Sequence, residues 1–244
     1  MTKIAVFGAG TWGIALARLL AANGRDVTVW SAIPAELKSL STTHRHPNLP
    51  GMELPAAMHY TADIAEACTG RDILLFAVPS PFVRATAKKA APHIPEGQLI
   101  VDVAKGVEDK TLMTMSEIIE DELAKAGRKA RVVALSGPTH AEEVARDMPT
   151  AIVAASADED AAKTVQKVFT RPSVSTPTMT AAAPNWAVRS RTSLRWLSVL
   201  RWAWATVTTP RPRSSPAATP SCPDWASPWA ARPRPLRACP VWAT

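Results

Sequence analysis

Residues Lys3 to Ala17 read KIAVFGAGTWGIALA. An apolar run stops at Gly8, Gly10 and Gly13 and then resumes as a helix-forming segment carrying Ile14, Leu16, Ala17, Leu19 and Leu20. The order is strand, tight glycine turn, helix start. In a turn that holds a pyrophosphate the three glycines do different things. Gly8 permits the sharp turn, Gly10 lets the backbone approach the ligand, and Gly13 lets helix and strand pack closely. The helix N-terminus adds N–H groups that have no intrahelical acceptor and suit phosphate oxygens. A GxGxxG by itself is weak evidence, because a glycine-rich turn can equally bind nothing. Here it follows a five-residue apolar strand and precedes an amphipathic run, which is the context a dinucleotide site needs.

Outward from that turn, short apolar runs alternate with helical segments to about residue 170. This alternation predicts an α/β fold, a doubly wound Rossmann-type parallel sheet over residues 1–170. Strands are expected at Asp26–Trp30, Asp72–Val78, Gln98–Val103, Arg131–Leu135 and Ala151–Ala155. Helices are expected at Asp63–Cys68, Phe82–Ala91, Thr111–Ala126, His140 to about Arg146, and Asp158–Phe169. Ligands gather at the carboxyl ends of such strands, which singles out Pro79-Ser80, Ala104-Lys105-Gly106 and Ser136-Gly137-Pro138-Thr139. Lys105 is well placed to meet a phosphate or a carbonyl, although position alone equally allows an ordinary surface lysine. The Ser136 to Thr139 turn puts small residues and a hydroxyl before a helix, suited to an anion or simply to capping. After Trp30, where a ribose-gripping side chain belongs, Ser31, Ala32 and Ile33 offer neither the acid that suits NAD nor the arginine that suits NADP. His44 and His46 run into Pro47-Asn48-Leu49-Pro50-Gly51 and read as a solvated loop, so no metal site is expected.

The formal charge of +7 over 244 residues invites a nucleic-acid reading, which its distribution removes. Residues 172–244 hold nine arginines, no lysine and one acid, Asp224, whereas the preceding 171 residues hold 19 basic and 20 acidic groups. Neither nucleic acid nor membrane is expected as a partner. The apolar fraction of 47% suffices for a core. Cys68, Cys222 and Cys239 have no metal or redox spacing and suit a reducing cytoplasm. No signal peptide is expected before Lys3, and no apolar run reaches the roughly 18 residues of a membrane helix.

GAGTWGIALA at the start, VPS after the Asp72 strand, AKG at Lys105 and SGPTHAEEVA from Ser136 together resemble bacterial NAD(P)-dependent glycerol-3-phosphate dehydrogenase over residues 3–171. The AKG and SGPT elements in this order distinguish the resemblance from other dehydrogenases with the same nucleotide fold. It implies an NAD(P)-binding domain at 1–171 and reversible hydride transfer between NAD or NADP and the pair dihydroxyacetone phosphate and sn-glycerol 3-phosphate, in glycerophospholipid synthesis. It further implies that Gly8, Gly10, Thr11, Trp12, Gly13, Lys105 and Ala141 meet the cofactor. Lys105, Gly137 and Thr139 would meet the substrate, and the full-length family would form a homodimer in the cytoplasm. Ala32 departs from the family, which carries a basic residue there towards the adenosine side.

From Pro172 the composition changes: no glycine, twelve prolines and seven of the nine tryptophans. Such a segment cannot sustain long helices and is expected to be irregular or disordered. The resemblance implies instead a helical substrate domain with an ELxGALKN motif whose lysine is the general acid, yet no lysine follows Lys167. Rereading each codon's third base with the next two bases turns Pro184 to Leu197, PNWAVRSRTSLRWL, into ELGGALKNVIALA under permitted codons. Tryptophan has a single codon, so every Trp-Ala pair forces a glycine in the shifted frame. Residues 172–244 are therefore read as a frameshift product of the same gene, with the slip between Arg171 and Thr176. The alternatives are an NAD(P)-binding fragment without turnover, another dehydrogenase of the nucleotide-binding superfamily, or a tail serving as a basic arm for RNA or a membrane surface.

Overall fold

β1 (Lys3–Phe7) leads through α1 (Thr11–Ala22) to β2 (Asp26–Trp30), followed by α2 (Pro34–Thr43), the short β3 (His59–Thr61) and α3 (Ile64–Cys68). Then come β4 (Ile73–Phe76), α4 (Ser80–Ala90), β5 (Gln98–Asp102), α5 (Met115–Lys125), β6 (Ala130–Ser136), α6 (Ala141–Ala145), β7 (Ile152–Ala155), α7 (Glu159–Phe169) and β8 (Thr180–Ala183). This computed structural model describes residues 1–170 apart from positions 138, 149 and 151, together with the backbone of Thr180–Ala183. All of these belong to the first of the two units into which the chain divides, Met1–Ala203. The expected irregular tail otherwise lies outside the described residues.

One sheet takes the order β3-β2-β1-β4-β5-β6-β7-β8. Its first six strands follow the doubly wound dinucleotide-binding order and pair in parallel, as the alternating pattern predicts. β1 is central, and all of its residues after Lys3 are buried. Successive side chains of a strand point to opposite faces, so Ile4 and Val6 join the core beneath α1 and α7, while Ala5 and Phe7 join the core beneath α4 and α5. Both faces being covered explains why the sequence shows a continuous apolar run there and not an alternation. On the second face Phe7 stacks on Phe76 at 4.9 Å between ring centroids and meets Trp30 at 5.6 Å.

The sheet is not parallel throughout. β7 runs antiparallel to β6, pairing Ala134 with Ala155, and β8 is parallel to β7. The five-residue α6 rises only about 7.5 Å, too little to carry the chain back along the seven-residue β6, so β7 starts where β6 ends.

The helix expected over 111–126 is shorter, because Thr114 caps it: its hydroxyl accepts the Glu117 N–H while the Glu117 carboxylate accepts the Thr114 N–H. Leu112, at φ 56°, belongs to the preceding turn. α2 and β3 were not expected from the sequence; α2 starts at Pro34, which has the backbone angle of a first helical position. Among the described residues no helix is long and apolar enough to cross a membrane.

Candidate functional site

The carboxyl ends of β1, β4, β5 and β6 open onto a cavity of about 560 Å³. It sits where the strand order reverses on either side of β1, the crevice in which ligands bind in open α/β sheets.

The β1–α1 turn forms one wall. Gly8 has φ +120°, and a Cβ added there would stand 2.7 Å from the Ala77 carbonyl oxygen. A Cβ on Gly13 would run into the Gly8 carbonyl oxygen. At Gly10 a Cβ would meet nothing within 4 Å, and Gly10 lines the cavity. Gly8 and Gly13 are thus required by the chain's own packing, whereas the bare backbone at Gly10 faces open space. Thr11 and Trp12 follow as the first residues of α1 and line the same cavity. The first turn of α1 holds no acid, so its positive end is left for an anion.

Lys105 stands on the opposite wall, on a turn fixed from both sides. Before it, Asp102 is fully buried; its Oδ1 accepts the Ala104 N–H at 2.9 Å and its Oδ2 accepts the Ser116 hydroxyl at 2.9 Å. After it, Gly106 takes φ +125°, and Glu108 is gripped by the Arg84 guanidinium at 2.7 and 2.6 Å. Arg84 also reaches Asp121 and Glu122, each at 2.6 Å, and Lys125 bonds the same two carboxylates. The Arg84 guanidinium, helped by the Thr111 hydroxyl, pulls the Glu108 carboxyl down to about 2. Lys125 and Arg84 likewise lower Asp121 and Glu122. Lys105 itself is exposed to the cavity, with Nζ donating to the Gly137 carbonyl at 3.4 Å.

The turn after β6 closes the third side with Thr139, His140 and Ala141. The Thr139 N–H donates to Gly137 O at 3.0 Å and the residue is only 8% exposed. The anion-binding device expected here is altered: the helix begins at Ala141, its cap is His140 without a side-chain bond, and Glu142 and Glu143 occupy its first turn. Two carboxylates at that end oppose an anion, so among the described residues lining the cavity the positive side chain is Lys105, on the neighbouring wall. Asp147, just beyond α6, receives a two-pronged bond from Arg18 of α1 at 2.9 and 3.0 Å, tying the third side to the first.

At the end of β2 the Ser31 hydroxyl donates to Glu36 Oε2 at 2.9 Å and accepts the Ile33 N–H at 3.1 Å. His46 is 8% exposed and its Nδ1 accepts the Asn48 N–H at 3.2 Å, so it belongs to a packed loop and not the solvated one expected. Burial lowers its pKa, with the Ala9 backbone and the Glu36 charge acting the other way.

The structure therefore gathers Gly10, Thr11, Trp12, Lys105, Thr139 and Ala141 around one cavity, with Gly8, Gly13 and Gly137 supporting it. Sequence reasoning did not find Asp102, Arg84, Glu108 or Glu36. Only Asp102 left a signal, as an acid inside the apolar run QLIVDVA.

Residues 3–162 match the family described as NAD-dependent glycerol-3-phosphate dehydrogenase N-terminus. The chain is 60% identical over 171 residues to glycerol-3-phosphate dehydrogenase [NAD(P)+] 2 of Lactobacillus delbrueckii subsp. bulgaricus, covering 69% of this chain and 51% of that one. It is 45% identical over 170 residues to the corresponding enzyme of Agathobacter rectalis, covering 69% and 49%. The chain thus spans about half the length of the relatives it matches. The crystal structure of glycerol-3-phosphate dehydrogenase from Coxiella burnetii superposes with a TM-score of 0.66 at 25% identity, over 75% of this chain and 54% of that one. A UDP-D-ManNAc dehydrogenase from Pyrococcus horikoshii superposes with a TM-score of 0.65 at 15% identity, which shares the fold alone.

Proposed function

The chain belongs to the NAD-dependent glycerol-3-phosphate dehydrogenase family, matching its N-terminal domain, and on that premise we propose that it is the nucleotide-binding part of an NAD(P)-dependent enzyme interconverting dihydroxyacetone phosphate and sn-glycerol 3-phosphate. The observation that carries this reading is the pairing of an open glycine cradle with an ammonium group across one cavity: Gly10 on one wall, Lys105 on the other. The cradle fits a pyrophosphate, since backbone N–H groups and an acid-free helix end face space that no protein atom fills. A bound nicotinamide supplies or accepts the hydride.

This chain's residues then hold and polarise. The N–H groups at the start of α1 bind the pyrophosphate, and Trp12 and Ala141 confine the cofactor at the cavity. The Lys105 ammonium donates to substrate oxygen and draws charge from the carbonyl as hydride arrives, while the Thr139 hydroxyl orients the substrate beside it. The Asp102 and Glu108 anchors keep Lys105 on station before substrate arrives. A homodimer, a cytoplasmic location and a role in glycerophospholipid synthesis complete the reading for the full-length protein.

The alkoxide left by hydride transfer needs a proton from a positioned acid. In the resembled family that acid is a lysine of the helical domain, and no lysine follows Lys167 here. We place the reading-frame slip between Arg171 and Thr176, which removes that lysine and the domain carrying it. Losing a general acid lowers a rate by about 10²–10⁴-fold, so this chain binds NAD(P)H yet turns over little. The test has two arms. Nicotinamide fluorescence of the full chain should show saturable NADH or NADPH binding, and substrate-dependent NAD(P)H oxidation should be near background. Restoring the frame in the gene should bring oxidation back with dihydroxyacetone phosphate. A frame-restored protein that binds NAD(P)H but ignores this substrate would overturn the substrate assignment, and failure to bind either nucleotide would overturn the site.

A further inference from the structure

The residues that follow Trp30 lie directly beside the glycine turn, because Phe7 and Trp30 are paired across β1 and β2 and the Gly8 N–H donates to Trp30 O at 2.8 Å. In such a turn the adenosine ribose meets the side chain at the end of the second strand. Positions 31–33 hold no acid, but the fold brings one there. α2 begins at Pro34 and its first turn returns Glu36 to Ser31, whose hydroxyl, 5% exposed as a residue, donates to Glu36 Oε2 at 2.9 Å. The same hydroxyl accepts the Ile33 N–H at 3.1 Å, so the Ser31 side chain closes the turn and pins the carboxylate together. Oε1 of Glu36 has no hydrogen-bond partner among the described residues, and Glu36 is exposed.

No cation is poised to balance a phosphate at this place among the described residues. Ala32 and Ile33 are exposed and apolar. Arg45 is engaged by Glu53 at 2.7 Å. Lys38 lies two positions from Glu36 on α2 and so on another side of that helix. His46 is buried, its Nδ1 accepts the Asn48 N–H at 3.2 Å, and burial disfavours its charged form.

We propose that Glu36, pinned by Ser31 at the end of β2, selects NAD(H) over NADP(H) by accepting a hydrogen bond from the adenosine ribose 2′-hydroxyl and repelling a 2′-phosphate. The proposal rests on the β1–α1 turn being the pyrophosphate cradle. An ionised carboxylate is a strong acceptor for a vicinal diol, and its charge opposes the roughly −1.5 to −2 of a phosphate monoester. The apolar pair Ala32-Ile33 supplies nothing to offset that repulsion.

The test is equilibrium titration of the full chain with NADH and with NADPH, read by nicotinamide fluorescence and requiring no turnover. NADH should bind about tenfold or more tightly than NADPH, as one charge-assisted hydrogen bond gained and one phosphate repelled would give. Glu36→Gln should narrow the gap, and Glu36→Arg should reverse it by raising NADPH affinity above that of the unaltered chain. A gain of affinity cannot come from a misfolded variant. Equal binding of the two nucleotides, or a Glu36→Arg variant with an unchanged ratio, would overturn the assignment of Glu36 while leaving the cradle in place. Binding of neither nucleotide would overturn the cradle, and the selectivity with it.

Discussion

The two walls of the cavity are held by different physics. The β1–α1 wall is shaped by the absence of side chains: Gly8 and Gly13 stand where a single carbon would strike a carbonyl oxygen, and the turn is pinned by a backbone bond to Trp30. The Lys105 wall is shaped by side chains, with Asp102 on Ser116 and the Ala104 N–H, and Arg84 spread over three carboxylates. A wall made by steric exclusion ignores pH and salt but tolerates no added atom. A wall made of ions degrades by degrees, and its grip can be titrated and screened.

The sharpest way to break this contrast is Gly13→Ala. The new Cβ meets the Gly8 carbonyl within the helix–strand contact, where neither backbone can yield cheaply. Overpacking of this kind costs roughly 3 kcal/mol, a fall of about 6–12 °C in melting temperature for a domain of this size. Thermal unfolding by circular dichroism would read it, and the loss should be the same at low and high salt.

Arg84→Ala should act more gently. It frees Glu108, Asp121 and Glu122 from a shared cation, but Glu108 and Asp121 are partly exposed and the buried Glu122 keeps Lys125 at 2.8 Å, so a drop of about 2–4 °C is expected at low ionic strength. In roughly 1 M salt the difference from the unaltered chain should largely vanish. Limited proteolysis should also show earlier cleavage in the loop from Lys105 to Met113.

Acid provides a third measurement. Glu108 is held at about 2 against an ordinary 4.5, chiefly by Arg84. A lowered carboxyl stabilises the fold above the unfolded value and loses that contribution as pH falls through the folded one. The Lys105 wall should therefore weaken between about pH 4.5 and pH 2, and Arg84→Ala should flatten this window. Acid titrations that remain identical would remove the ion cluster as an anchor.

The smallest effect on stability belongs to Gly10→Ala. With nothing within 4 Å of the added methyl, stability should stay within about 0.5 kcal/mol. On the proposed reading NADH affinity should nevertheless fall, because the methyl would occupy the open space assigned there to the pyrophosphate. Gly13→Ala and Gly10→Ala together separate the glycine that serves packing from the glycine proposed to serve a ligand.

Much of this was legible in the chain order. Short apolar runs at β1, β4 and β5, each ended by a turn, set out the strands, and GAGTWG located the crevice. Capping was harder to read. Thr111 to Lys125 is apolar at helical spacing throughout, and only the reciprocal bonds of Thr114 and Glu117 decide where the helix starts. The reversal of β7 was hidden for a related reason, since an apolar run carries no direction and the short α6 sets it. Glu36 was overlooked because the ribose position was sought in the three residues after β2, whereas α2 folds the next turn back onto Ser31.

By itself, then, the sequence determined the α/β class, the dinucleotide turn and the turns that reach the cavity, because each depends on local periodicity and on glycine's freedom from a Cβ. Tertiary structure decided the rest. It set which of the three glycines faces open space, what holds Lys105, and which acid stands beside the turn. Those depend on atoms brought within bonding distance from residues far apart in the chain, such as Arg84 with Glu108 and Asp121, and no local pattern encodes that meeting.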